Sequence, residues 1–432
     1  MTVTIHPAPG LAGRPALPAD KSIAHRAALF AGLADGESEI VGFSDAADPQ
    51  STLACLQQLG VQMETREDSL FITGRGLDGL RQPERPLHCG NSGTTMRLLA
   101  GILATRPWES VLVGDASLSS RPMARIADPL REMGARVDMT DGHAPVTIQG
   151  GRLRTITYRL PVASAQVKSC VLLAGLGATG ETTVIETAPS RDHTERMLGL
   201  DVLDIGGERH ISVEGGRAVR ARLRVVPRDI SAAAFFLVAG ALAEESRIEM
   251  RSVGLNPSRT ALIDVLRAMG APITVTGERM RAGEALGDLR VEAASLTSVT
   301  VAGEIIPNLI DEIPVLAVAA TQAAGTTTIR DAAELRVKET DRIAETARFL
   351  RAMGADIEER PDGLAVRGPT PLHGAEVDAK HDHRIAMAAA VAALSASTPT
   401  TIHGAEAASV SFPGFWDALE AVGGKGTVER AS

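Results

Sequence analysis

The chain runs to 432 residues, 44% of them apolar and 22% charged, with a formal net charge of −9. That length suits two or three domains with substantial cores. The acidic balance argues against a nucleic-acid binder with a broad basic face, and one tyrosine with two tryptophans leaves little for base stacking. An anionic small substrate stays open, provided the cations that meet it are focused in one cleft. No apolar run reaches the ~18 residues of a membrane span. The first residues, Met1-Thr2-Val3-Thr4-Ile5-His6-Pro7, have neither a basic nor an apolar leader region, so no signal peptide is expected. Cys55, Cys89 and Cys170 form no pairing or metal pattern and suit a reducing compartment, which points to the cytoplasm.

In chain order the sequence repeats one unit six times, with a period of about 70 residues, longer than the usual solenoid repeat. Each unit opens with small polar residues and an Ala/Leu-rich helix, from Lys21, Asn91, Ser164, Asp229, Asp311 and His381 in turn. A β-branched strand follows, such as Thr182–Ile185 or Thr326–Ile329, then a polar loop and a second helix. That helix ends in a recurring turn: Leu59-Gly60-Val61, Met133-Gly134-Ala135, Met269-Gly270-Ala271, Met353-Gly354-Ala355 and Val422-Gly423-Gly424. Glycine there fits a helix C-cap. The third unit is the least regular, and no such turn is expected from Leu198 to His210. One or two strands close each unit, and a leading strand comes from just before it. The pattern predicts an α/β protein of two domains with three βαβαββ repeats each. Residues 14–226 form the first domain; residues 227–432, completed by 1–13, form the second, with an active-site cleft between them.

Chemistry concentrates at the unit openings. Lys21-Ser22-Ile23-Ala24-His25-Arg26 puts a lysine, a hydroxyl and an arginine at a helix start, which makes an anion site. Asn91-Ser92-Gly93-Thr94 lets a ligand approach backbone closely, and Arg121-Pro122 in the following loop offers a fork for a carboxylate or phosphate. The third unit supplies Ser164-Ala165-Gln166 and Ser190-Arg191. Gly175, Gly177 and Gly180 spell G-x-G-x-x-G, but after a helix and before a strand, the reverse of dinucleotide-binding context. Asp311-Glu312 opens an apolar helix, where a general base gains partial burial and a fixed position; Asp311 serves equally as an N-cap. If a helix begins near Val337, Lys338 and Arg342 share one face and Glu339 lies about 100° around it. His381-Asp382-His383-Arg384 lacks further ligands at metal spacing, so an anion contact from Arg384 and an orienting role for His383 are expected. Neither a metal nor a cofactor is expected.

These stretches resemble the EPSP synthase (3-phosphoshikimate 1-carboxyvinyltransferase) family. The matching pieces are Asp20 to Arg26, Gly90 to Thr94, Ser120 to Met123, Ser164 to Gln166, Arg336 to Arg342 and Asp382 to Arg384, in the family's order over nearly the whole chain. The resemblance implies an inside-out α/β barrel in each domain. It implies transfer of the enolpyruvyl group of phosphoenolpyruvate to the 5-hydroxyl of shikimate 3-phosphate, with loss of phosphate, in the shikimate pathway of aromatic amino acid synthesis. Lys21, Ser22, Arg26, Ser164, Ala165, Gln166, Ser190, Arg191, Asp311 and Lys338 would then hold shikimate 3-phosphate. Lys21, Gly93, Arg121, Gln166, Arg342 and Arg384 would hold phosphoenolpyruvate. Asp311, Glu339, Lys21 and His383 would be catalytic: Asp311 as base toward the hydroxyl, Glu339 as acid toward the methylene supported by His383, Lys21 bridging both substrates. A monomer is expected, free of nucleic acid and membrane.

The sequence departs from that family pattern at Val410, where some relatives carry a lysine, and at Glu334, where some carry an asparagine. Gly93 suggests room for the herbicide glyphosate. Two related readings compete: an enolpyruvyl transferase acting on UDP-N-acetylglucosamine, whose usual loop cysteine has no counterpart here, and an RNA 3′-phosphate cyclase, disfavoured by the acidic charge.

Overall fold

A computed structural model describes residues 1–431. The chain is mixed α/β and divides into two compact units. An N-terminal unit comprises Ala19–Pro227 with Met280–Glu284; a C-terminal unit comprises Met1–Pro18, Arg228–Arg279 and everything from Ala285 onward.

Each repeat contributes one four-stranded sheet, and all six share one order: leading strand, long strand, closing strand, third strand. In the second repeat Leu87–His88 runs parallel to Glu109–Val113, which pairs antiparallel with His143–Gln149, with Arg136–Thr140 at the edge. The sheets stay separate and close no hydrogen-bonded barrel among the described residues. Closing strands alternate in burial, as in Ser69–Arg75, so one face of each sheet packs inward. Two leading strands do not come from directly before their repeat. Arg224–Val225, after the third repeat, runs beside Asp35–Val41, and Ala12–Gly13 runs beside Arg247–Gly254. The first repeat of the N-terminal unit has no earlier strand of its own unit to borrow, so that unit's last segment supplies it. Thr2–Ile5 lies between Thr400–His403 and Val428–Arg430, completing the sixth repeat.

The opening helices are buried nearly all round. Every residue of His383–Leu394 is buried, as is Ile230–Ala241 within Ile230–Leu242, which is why they carry no polar stripe. Five of the six are capped by a side chain, from Asp20, Ser92, Ser164, Asp229 and Asp382. The fifth helix differs. Asp311 lies in a 3₁₀ turn, Ile310–Glu312, and the α-helix starts at Ile313 without a side-chain cap, so Asp311 is not the N-cap.

The recurring turns are left-handed glycines, with φ of 85°, 106°, 104° and 92° at Gly60, Gly134, Gly270 and Gly354. The third repeat has this turn after all: Gly199, at φ 64°, ends His193–Leu198 and donates to the Arg196 carbonyl. Its helix is only six residues long, too short for a visible periodicity. In three repeats an arginine just before the turn, Arg131, Arg267 or Arg351, donates to a third-strand carbonyl, that of Val137, Ile273 or Ile357.

Helices Gly93–Ala104 and Ala165–Gly175 pack so closely that a Cβ on Gly101 would sit 2.2 Å from the Cys170 carbonyl oxygen. Gly101→Val should therefore destabilise the protein by about 3 kcal/mol through overpacking. Gly414→Ala, where a Cβ meets nothing within 4 Å, should stay within about 0.5 kcal/mol. Urea unfolding compares the two, and equal effects would contradict the close helix contact.

Candidate active site

In the N-terminal unit the helix starts bring cations to the backbone. Asp20 caps Lys21–Gly32 by accepting from the Ile23 amide at 2.8 Å, which places Lys21, Ser22 and Arg26 on its first two turns. Lys21 donates to Asp48 at 3.0 Å and keeps its side chain 23% exposed. Arg26 turns inward: it donates to Thr194 and Ser169 at 2.8 and 2.9 Å and to the Ser22 carbonyl at 3.0 Å. Burial holds its pKa down to about 10, against the pull of Glu195, Glu284 and Asp20, so it stays cationic at neutral pH.

Ser92 and Ser164 cap the next two opening helices. Ser164, Ala165 and Gln166 are all half-buried at the second of these starts. The two helix starts are tied together, since Gln166 accepts from Arg97 at 2.5 Å and donates to Thr94 at 2.9 Å. A Cβ on Gly93 would lie 2.8 Å from Arg97 Nη1 and 3.7 Å from Arg121 Nη1. Glycine thus keeps the backbone open beside two guanidinium groups. Arg121 is aimed by its loop: it donates to Asn91 at 2.6 Å, Asn91 donates to Asp115, and Asp115 caps the short helix Ala116–Ser119. Arg97, one turn beyond Gly93, joins the site here although its spacing alone gives no sign of it.

Ser190 and Arg191 flank a buried charge cluster. Ser190 donates to Glu186, while Lys168 Nζ lies 2.9 Å from Glu186 and 2.7 Å from Glu195. His193 Nδ1 is 2.8 Å from Glu284. Arg191 is half-buried. Lys168 belongs to no motif above, though a lysine amid Val167, Cys170 and Val171 signals a buried ion pair.

The C-terminal unit centres on Arg342. The expected helix from Val337 is absent: a 3₁₀ turn covers Ala333–Val337, Lys338 is extended, and the α-helix runs Arg342–Ala352 with Asp341 as its cap. Lys338 and Glu339 therefore reach the site from a loop and not from a shared helical face. Arg342, 2% exposed, donates to Asp382 at 2.8 and 3.2 Å and to Asp311 at 3.1 Å, and lies 2.6 Å from Glu339. Lys338 Nζ is 3.6 Å from Asp311. Burial opposes the Arg342 charge, but Asp382, Glu339 and Asp311 outweigh it and raise its pKa. Arg384 lies 3.5 Å from Glu312, donates to the Ser231 carbonyl at 3.2 Å and sits over the Phe235 ring. Arg336, by contrast, is spent on Asp341, Glu359 and nearby carbonyls. Val410 and Glu334 both fall in 3₁₀ turns, half-buried and exposed respectively.

Each unit thus presents cations at helix starts, and the C-terminal unit adds two partly exposed carboxylates, Asp311 and Glu339. That inventory can bind anions and move protons. No cluster of three or more histidines, cysteines or acids with metal-holding geometry occurs among the described residues.

His383 is neutral. Burial, then Arg384, lowers its pKa to about 3, against Asp382 and Glu339. The unfolded chain takes up that proton near pH 6.5, so stability from the neutral ring is complete above pH 6.5 and is lost as pH falls toward 3. His383→Gln should flatten the pH dependence of the urea midpoint in that window, by up to about 1.4 kcal/mol per pH unit. Parallel curves for variant and wild type would contradict a neutral, buried His383.

Residues 6–419 match the family described as EPSP synthase (3-phosphoshikimate 1-carboxyvinyltransferase). A 3-phosphoshikimate 1-carboxyvinyltransferase of Salinibacter ruber is 58% identical over 427 residues, 98% of this chain and 99% of that one. The solved EPSP synthase of Acinetobacter baumannii superposes with a TM-score of 0.89 at 43% identity, covering 100% of both chains. The enolpyruvyl transferase NikO of Streptomyces tendae, at 20% identity and a TM-score of 0.79, covers 100% of this chain and 98% of its own and shares the fold. The chain belongs to the EPSP synthase (3-phosphoshikimate 1-carboxyvinyltransferase) family.

Proposed function

We propose that the chain transfers the enolpyruvyl group of phosphoenolpyruvate to the 5-hydroxyl of shikimate 3-phosphate, and that the residues gathered in its two units act on this one pair of substrates. The observation that carries the reading is the Arg342 cluster: a buried guanidinium that fixes Asp311 and Glu339, with Lys338 beside them. Asp311 takes the hydroxyl proton as that oxygen bonds to C2 of phosphoenolpyruvate. Glu339 delivers a proton to C3. The resulting ketal carries both phosphate and carboxylate; phosphate then leaves and a C3 proton returns, restoring the double bond.

Charge is the difficulty at each step, so positioned donors are the main catalytic resource. Lys21, Gly93, Arg121, Gln166, Arg342 and Arg384 hold phosphoenolpyruvate in this reading. Lys21, Ser22, Arg26, Ser164, Ala165, Gln166, Ser190, Arg191, Asp311 and Lys338 hold shikimate 3-phosphate. Neutral His383 orients Glu339 and does not itself supply a proton. The UDP-N-acetylglucosamine and RNA-cyclase readings are not favoured by the family match. A cytoplasmic monomer without a nucleic-acid partner suits small-molecule chemistry and the net charge of −9; sedimentation at the mass of one chain checks the monomer.

Phosphate release on mixing the two substrates tests the assignment. Asp311→Ala should lower kcat by about 10²–10⁴-fold, and a variant within a few-fold of wild type would remove Asp311 from the chemistry. In the same assay glyphosate should inhibit wild type, because Gly93 leaves space beside Arg97 and Arg121. Undiminished activity would reject that part.

A further inference from the structure

The N-terminal unit holds a second concentration of positive charge that the proposed reaction does not use. Arg217-Ala218-Val219-Arg220-Ala221-Arg222-Leu223-Arg224 carries four arginines and no acid in a chain whose net charge is −9. All four line a cavity of about 530 Å³ whose apolar wall includes Leu176, Met197 and Val219. Its place in the fold is remote from Lys21 and Gln166. Leu176 follows the C-terminal end of Ala165–Gly175, about 15 Å along the axis from Gln166. Phe30, against which Arg224 lies at 5.7 Å, is at the far end of Lys21–Gly32.

Two of the arginines have structural work. Arg217 donates to the Leu198 and Gly199 carbonyls and Arg222 to that of Met197, closing the end of the short helix His193–Leu198. Arg224 has none. It is 1% exposed, its Nε and Nη1 are buried without a hydrogen-bond partner, and no carboxylate pairs with it among the described residues. Burial and neighbouring Arg222 hold its pKa down to about 10, with no acid pulling it back. A buried cation of this kind is costly unless something compensates it. A concave site with an apolar wall and convergent forks is what a small organic anion requires.

We propose that this cavity is a second anion site, binding a small molecule that carries an oxyanion, phosphate or carboxylate, on an apolar body, with Arg224 as its buried anchor and Arg222 and Arg220 at its mouth. Calorimetry tests it in a Lys21→Ala/Arg121→Ala background, in which anion binding at the reaction site is weakened. The probes are inorganic pyrophosphate and benzene-1,3-dicarboxylate. One probe molecule should bind per chain, weakened tenfold or more by Arg224→Met and by exposed Arg222→Gln. Preference for pyrophosphate would identify a phosphate ligand, and preference for the dicarboxylate a carboxylate one. In the wild-type background Arg224→Met should leave both KM values within about twofold and raise the thermal midpoint of the ligand-free protein, because an uncompensated buried charge is removed. Heats that are absent for both probes, or unchanged in Arg222→Gln, would overturn the proposal, as would a lowered midpoint in Arg224→Met with unaltered binding.

Discussion

The pairing of Arg342 with Asp382 is the interaction on which the carboxylate cluster of the C-terminal unit depends. Both groups are essentially out of water, 2% and 0% exposed at their side chains, so each charge is costly there without the other. Asp382 satisfies two demands at once: it accepts from Arg342 through both oxygens and caps the helix His383–Leu394 by accepting from the Arg384 amide at 2.8 Å. The position of Arg342 is thereby fixed to a helix start, and Asp311 and Glu339 are in turn fixed to Arg342. Loss of either member would leave an uncompensated buried charge, so the geometry is held or lost as a unit.

The repeat explains why function gathers where it does. The opening helices Ile230–Leu242 and His383–Leu394 are too apolar to carry chemistry along their length, leaving the first turn and the loop before it. There, unpaired backbone amides and a capping side chain already favour negative charge. Six copies supply six such starts; the sequence differences among them decide which bring lysine and arginine, as at Lys21 and Arg384, and which bring carboxylate, as near Asp311.

Much of this could be read from the chain itself. Caps at Asp20 and Ser164 and the glycine turns follow from local rules that tertiary structure did not override. Charge spacing favours a helix start near Val337, several residues early; the decisive signal is Asp341, whose side chain accepts from the Ala344 amide. By sequence Asp311 is an equally good cap; its 3₁₀ turn depends on packing that the local residues do not reveal. The return of Arg224–Val225 to the first repeat arises from a pairing distant in sequence, and the low pKa of His383 chiefly from burial. No periodicity encodes them.

The proposed function requires that Arg121 and Arg384 each hold phosphoenolpyruvate. Steady-state KM values for both substrates in Arg121→Lys and Arg384→Lys test this most directly, since lysine keeps the charge and loses the fork. Each variant should raise KM for phosphoenolpyruvate by about 10–100-fold, the worth of a charge-assisted hydrogen bond, while KM for shikimate 3-phosphate moves by less than about threefold. Effects falling on different substrates in the two variants, or on neither, would contradict it.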